Sequence, residues 1–139
     1  MADYIPDITE LVPQRAPFIM VGELLFADDT IARTRFIVDA ANPLVDRGRF
    51  TAGGLLENIA QTVAAGAGYM ALRASRPVAA GHLVSVSRFI IRSFPVPGDE
   101  LLTETTIQTR LADIIVISGR VTFGGKEIAA CEMKILTNV

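Results

Sequence analysis

Apolar positions along this chain change period twice, and those changes divide it into elements. Residues 18–26 (FIMVGELLF) form a nearly continuous apolar run with a glycine inside it, and residues 30–38 (TIARTRFIV) partly alternate. Asp28 and Asp29 lie between them, so the pair reads as a β-hairpin with a bulge expected at Gly22. Residues 39–49 (DAANPLVDRGR) are rich in Asn, Pro, Asp and Gly and read as loop. From Phe50 to Arg73 the period becomes helical. Thr51 is the expected N-cap of that helix, and Gly53 and Gly54 follow it without side-chain cover. Beyond a connection at residues 74–81, strands are expected at 82–94, 100–110, 114–123 and 126–136. The turn PVPGD (95–99) and the pair Gly124-Gly125 separate three of them. Upstream, Ile5, Ile8, Leu11 and Val12 have helix-like spacing that ends at Pro13, and the two prolines at 13 and 17 impose an irregular path.

The helix is the unusual element. Between residues 55 and 72 its polar side chains are Glu57, Asn58, Gln61 and Thr62 in the first two turns, and Tyr69 later. A helix without a polar stripe is buried on all sides, yet 139 residues are few for wrapping a long helix completely. The sequence thus predicts one α+β domain over residues 1–139, an antiparallel sheet of about six strands wrapped around one long helix. It also predicts that a second chain completes the cover by pairing sheet edges across a twofold axis.

Glu57 and Gln61 are four apart and share a face near the positive end of the helix. Glu57 reads either as a structural carboxylate or as an acid–base group. Backbone N–H groups at Gly53 and Gly54 are candidates for polarising a carbonyl, and Asn42 for holding a carbonyl or water. Asp46 is a possible second carboxylate, although loop Asn and Asp are commonly turn formers. Arg15 reads as pairing with an acid or binding a carrier phosphate. The only histidine, His82, reads as a surface residue at a strand start.

Composition removes several classes of function. Thirteen basic and fifteen acidic residues give a net charge of −2 with no basic tract, which offers nucleic acid no electrostatic footprint. No uncharged apolar run approaches a membrane span of about 20 residues. The first residues, MADYIPDITELVP, are acidic where a signal peptide is basic and then apolar, so the expected location is the cytoplasm. A single cysteine, Cys131, forms no intrachain disulfide and no cysteine metal site, and its alternating apolar neighbours make it a core residue. No cofactor or metal is expected.

Three stretches together resemble the hot-dog fold, in particular the beta-hydroxyacyl-[acyl-carrier-protein] dehydratases. LVPQRAPFIMV (11–21) is similar to that family's Leu-Pro-His-Arg-x-Pro-Phe-Leu-Leu-Val opening. GLLENIAQ (54–61) is similar to its helix motif Glu-Ala-x-Ala-Gln, and FPVPGD (94–99) to its Pro-Val-x-Pro-Gly-Asp turn. Glu57 and Gln61 match the motif's carboxylate and glutamine; the helix also looks closer to divergent members linked with aryl-polyene synthesis.

The resemblance implies a 3-hydroxyacyl thioester substrate on acyl carrier protein or CoA, in fatty-acid or polyene biosynthesis. It implies a homodimer, or a heterodimer with a related chain, in which a loop histidine and the helix carboxylate of one site come from different subunits. Here the chain departs from the pattern. Gly-His-Phe-Pro-Gly is absent, the histidine position falls near Pro43, and the non-catalytic histidine of the opening is Gln14. Three readings follow: a dehydratase using Glu57, a non-catalytic subunit of a heterodimer, or a hot-dog thioesterase. An acyl tunnel lined by Ala64, Gly68 and Leu72 would suit any of them.

Overall fold

In the computed structural model, residues 4–78 and 81–137 are described. A short 3-10 turn at Ile8–Glu10, capped by the Asp7 carboxylate on the Thr9 N–H, precedes the sheet. Strands β1 (Glu23–Ala27) and β2 (Ile31–Ile37) form the first hairpin. Asp28 closes it by accepting from the N–H groups of Thr30 and Ile31 at 2.8 and 2.7 Å. A two-strand hairpin, β3 (Val45–Asp46) and β4 (Arg49–Phe50), leads into helix α1 (Ala52–Arg73). Then β5 (His82–Ile91), β6 (Glu100–Leu111), β7 (Ile114–Phe123) and β8 (Lys126–Leu136) complete a six-stranded antiparallel sheet of order β1-β2-β6-β7-β8-β5.

Period-two patterning decides the faces. Ala32, Thr34 and Phe36 of β2 point inward, as do Leu101, Thr103 and Thr105 of β6 and Ile115, Ile117 and Val121 of β7. Arg33, Arg35, Glu104 and Arg120 point outward and pair across strands, Arg33 with Glu104 at 2.7 Å. The Arg33 guanidinium holds the Glu104 carboxyl below its ordinary range. Helix α1 lies over β1, β2, β6 and β7.

The expected strand at 18–26 is shorter than its apolar run. Pairing begins at Glu23, although the Gly22 N–H still reaches the Arg35 carbonyl at 2.9 Å. The register shift lies between Leu24 and Phe26, not at Gly22. Residues 18–20 leave the ladder because side chains of α1 take their backbone groups, as described below. The expected loop at 39–49 contains the β3–β4 hairpin. Its turn residues Arg47 and Gly48 have φ of +52° and +75°, the geometry that closes a two-residue hairpin.

The helix is not enclosed on every side within one chain. Leu56, Ala60, Val63, Ala64 and Met70 are only half-buried, and Ala67 is exposed. These positions form one apolar stripe at helical spacing. Gly68 faces the other way: an added Cβ would run into the Leu11 carbonyl. The space expected as a tunnel at Gly68 is therefore filled by the segment that follows the 3-10 turn. Gly68→Ala is expected to lower stability by about 1–3 kcal/mol, read as a lower urea midpoint. Gly53→Ala, where a Cβ would meet only the Thr51 hydroxyl at 3.9 Å, is expected to cost nothing measurable.

Candidate functional site at the start of the helix

Thr51 ties the start of α1 to the loop before it. Its hydroxyl accepts from the Gly54 N–H at 3.2 Å and donates to the Leu44 carbonyl at 2.8 Å, which also takes the Thr51 N–H at 3.0 Å. The N–H groups of Ala52 and Gly53 have no partner among the described residues, so the positive end of the helix opens there. Of the two glycines singled out by sequence, Gly53 is exposed with a free N–H. Gly54 is buried, its N–H taken by the cap, and a Cβ on it would sit 2.5 Å from the Phe50 ring.

One turn on, Glu57 is exposed. One carboxylate oxygen accepts from Gln61 Nε2 at 3.0 Å, and the other has no partner among the described residues. Gln61 has no exposed surface. Besides Glu57, its Nε2 donates to the Phe18 carbonyl at 3.0 Å, and its Oε1 accepts from the Met20 N–H at 2.6 Å. Both amide hydrogens are thus engaged within the chain, by the Glu57 carboxylate and the Phe18 carbonyl. Asn58, equally enclosed, donates to the Met20 carbonyl at 2.7 Å and accepts from the Thr103 hydroxyl at 2.5 Å. Sequence reading gave Asn58 no role. The signal was present, since an amide inside an apolar helix must find partners.

Asn42 lies on the loop tied to Thr51. Its Oδ1 accepts from the Leu44 N–H at 2.8 Å, an Asx turn, and its Nδ2 lies 3.2 Å from Met20 Sδ. Pro43 beside it is exposed. Asp46 is exposed on β3 opposite Arg49. Arg15 donates to the carbonyls of Val12 and Gln14 at 2.8 and 2.7 Å, where sequence reading expected an acid or a phosphate. His82 is exposed on the edge strand β5, in register with Leu136, Ile114 and Leu111. That row is eight positions along β6 from the Thr103 that touches Asn58, on the order of 25 Å.

Cys131 faces the core from β8, and burial followed by the neighbouring Glu132 pushes its thiol up to about 11. It is a small core residue. Among the described residues no group of three or more His, Cys, Asp or Glu could hold a metal ion. No helix among them is long and apolar enough to cross a membrane.

Among the described residues, one cavity of about 390 Å³ is bordered by Arg88, Glu104, Arg120 and Glu132. Another, of about 190 Å³, is bordered by Leu25, Arg33 and Leu102. The charged side chains on both borders, Arg33, Arg88, Glu104, Arg120 and Glu132, project from the sheet face turned away from α1, and neither border includes Glu57, Gln61, Gly53 or Asn42. The single chain therefore presents an exposed carboxylate, held on one oxygen and open on the other, near a helix N–H that has no partner among the described residues.

Residues 6–138 match the family described as ApeP-like, ApeP dehydratase. No curated protein matches the chain. Among solved structures, the dehydratase heterocomplex ApeI:P from Xenorhabdus doucetiae superposes with a TM-score of 0.89 at 12% identity, covering 96% of this chain and 92% of that one. Protein PH1136 from Pyrococcus horikoshii gives 0.70 at 11% identity over 96% and 95% of the two chains. A hypothetical thioesterase with coenzyme A from Streptococcus pneumoniae gives 0.66 at 14% identity over 84% of each. At these identities the likenesses establish the fold, one long helix against a six-stranded antiparallel sheet in the hot-dog arrangement.

Proposed function

The chain belongs to the ApeP-like dehydratase family, and from that premise we propose that it is the carboxylate-bearing half of a two-chain 3-hydroxyacyl thioester dehydratase. Glu57 supplies one acid–base group, and a related hot-dog chain seated beside it supplies the histidine. The observation that carries this reading is the state of Glu57: exposed, oriented by Gln61 and open on one oxygen.

The chemistry requires two groups. Dehydration removes a proton from C2, breaks the C3–O bond as the departing hydroxyl gains a proton, and leaves a C2=C3 double bond and water. A base and an acid must therefore flank one C–C bond, while a donor polarises the thioester carbonyl. Glu57 is suited to be one of the two, and the Gly53 N–H to be the donor. Within this chain, His82 is too far away to be the other, and Pro43 stands at the loop position that resembles the family's histidine. In a homodimer neither site would hold a histidine. In a heterodimer with a histidine-bearing chain, one site would combine the partner's histidine with Glu57, and the other would have Pro43 in its place.

Two further features support a partner. The edge strand β5 exposes Leu83, Val84 and Ile90 at 48, 57 and 53%, and α1 leaves an apolar stripe uncovered. An unpaired apolar edge invites a second strand, and the solved neighbour ApeI:P is itself a dehydratase heterocomplex. The substrate class is an acyl thioester on acyl carrier protein or CoA, in building a fatty-acid or polyene chain in the cytoplasm. The coenzyme A in the thioesterase neighbour supports a pantetheine thioester. That neighbour also supports a second reading, in which Glu57 activates water for thioester hydrolysis.

The test is hydration of crotonyl and longer 2-enoyl thioesters, following enoyl absorbance and free thiol together. The chain is assayed alone and mixed with a hot-dog chain carrying Gly-His-Phe-Pro-Gly. Loss of the enoyl signal only in the mixture, without thiol, is the expected result. Equal turnover by the chain alone would contradict the two-chain site, and thiol release would favour the thioesterase.

A further inference from the structure

Two amides of α1 grip a single residue from both sides. Gln61 Oε1 takes the N–H of Met20 at 2.6 Å, and Asn58 Nδ2 donates to the carbonyl of the same residue at 2.7 Å. Asn58 and Gln61 are three apart and therefore neighbours on the helix surface. Met20 is buried outside any strand, so these side chains supply the partners that its backbone groups require. Asn58 is in turn fixed to the sheet, because its Oδ1 accepts from the hydroxyl of Thr103, a buried residue of β6.

The geometry leaves Gln61 no freedom to flip. Its oxygen must meet an N–H, and its nitrogen must meet the Phe18 carbonyl and the Glu57 carboxylate. The place of the Met20 N–H thus decides where the donor to Glu57 points. That place is set by the anchor on the Met20 carbonyl. The Met20 thioether also lies against Asn42 Nδ2 at 3.2 Å, so the loop before the helix takes its position from the same residue.

We propose that Asn58 is a positioning residue for Glu57. By fastening Met20 to both α1 and β6, it fixes the Gln61 amide that orients the carboxylate. Asn58 stands where the dehydratase helix motif Glu-Ala-x-Ala-Gln has its first alanine. The inference rests on the role proposed for Glu57, but its first link, from Asn58 through Met20 to Gln61, can be read without turnover.

The experiment compares wild type, Asn58→Ala and Thr103→Val. In the full chain, the side-chain amide protons of Gln61 are followed by 15N NMR for protection from solvent exchange. In the two-chain complex, kcat and KM for enoyl hydration are measured below the melting temperature of every variant. Asn58→Ala is expected to strip protection from the Gln61 amide and to lower kcat by about 10- to 100-fold with KM within about twofold, the effect of a slightly misplaced group. On a Gln61→Met background the same substitution should lower kcat little further, because both act through one donor. Thr103→Val should move both readouts in the same direction by less, and it serves if Asn58→Ala does not fold.

Undiminished protection of the Gln61 amide overturns the proposal whatever the activity. So does an unchanged kcat in a complex whose melting temperature alone has dropped. Gln61 protection lost in a complex indifferent to Glu57→Gln would instead refute the catalytic role of Glu57, and with it Asn58's role in positioning a catalytic group.

Discussion

Glu57→Gln in the two-chain complex is expected to slow hydration of a 2-enoyl thioester by about 100- to 10,000-fold, the usual consequence of losing a positioned acid–base group. The fold should not notice. Glu57 is exposed and makes one side-chain hydrogen bond, from Gln61 at 3.0 Å, and the oxygen of a glutamine at 57 can accept the same bond. A single exposed hydrogen bond contributes about 1 kcal/mol or less, so the melting temperature and complex assembly should match wild type. The measurement is steady-state hydration beside a thermal melt of the same complex. Activity within twofold of wild type would remove the carboxylate from the mechanism.

Gln61→Leu is expected to produce the largest loss of stability among substitutions in the site, about 1–4 kcal/mol. Leucine has a similar size, so packing changes little, but the Met20 N–H and the Phe18 carbonyl lose their partner. The buried Met20 N–H left unpaired costs roughly 1–3 kcal/mol, and the Phe18 carbonyl, on an exposed residue, costs less. Residues 18–20 have no strand to fall back on, since the ladder begins at Glu23. Urea denaturation monitored by far-UV circular dichroism should show the midpoint move down with the slope unchanged. A shift below 0.5 kcal/mol would mean that water or a rearranged backbone serves residues 18–20 equally well.

The elements of this chain were open to reading because they rest on local signals. The helix from Ala52 to Arg73 follows from its period and its Thr51 cap, and Gly124-Gly125 announces the β7–β8 turn through the positive φ that both glycines adopt. The single cysteine in an alternating strand reads correctly as core. What stayed hidden is long-range. Nothing in the order of residues shows that Asn58 and Gln61 turn to the backbone 38 to 43 positions upstream. That contact makes residues 18–20 leave the sheet despite an apolar run that suits a strand. It also buries Gln61 while Glu57, on the shared helix face, stays exposed. The β3–β4 hairpin escaped because two-residue strands carry no period.

Pro43 and Glu57 leave one question at the centre: which chain contributes which group. Reciprocal substitution answers it most directly, with the helix carboxylate changed to the amide in this chain, in the proposed histidine-bearing partner, or in both, and the hydration rate of each complex compared. If this chain supplies the working carboxylate, Glu57→Gln alone removes nearly all turnover, and the same change in the partner leaves it nearly intact. Retained turnover with Glu57→Gln, lost only when the partner's carboxylate is changed, would show that the site belongs to the other chain and that this one serves as its support.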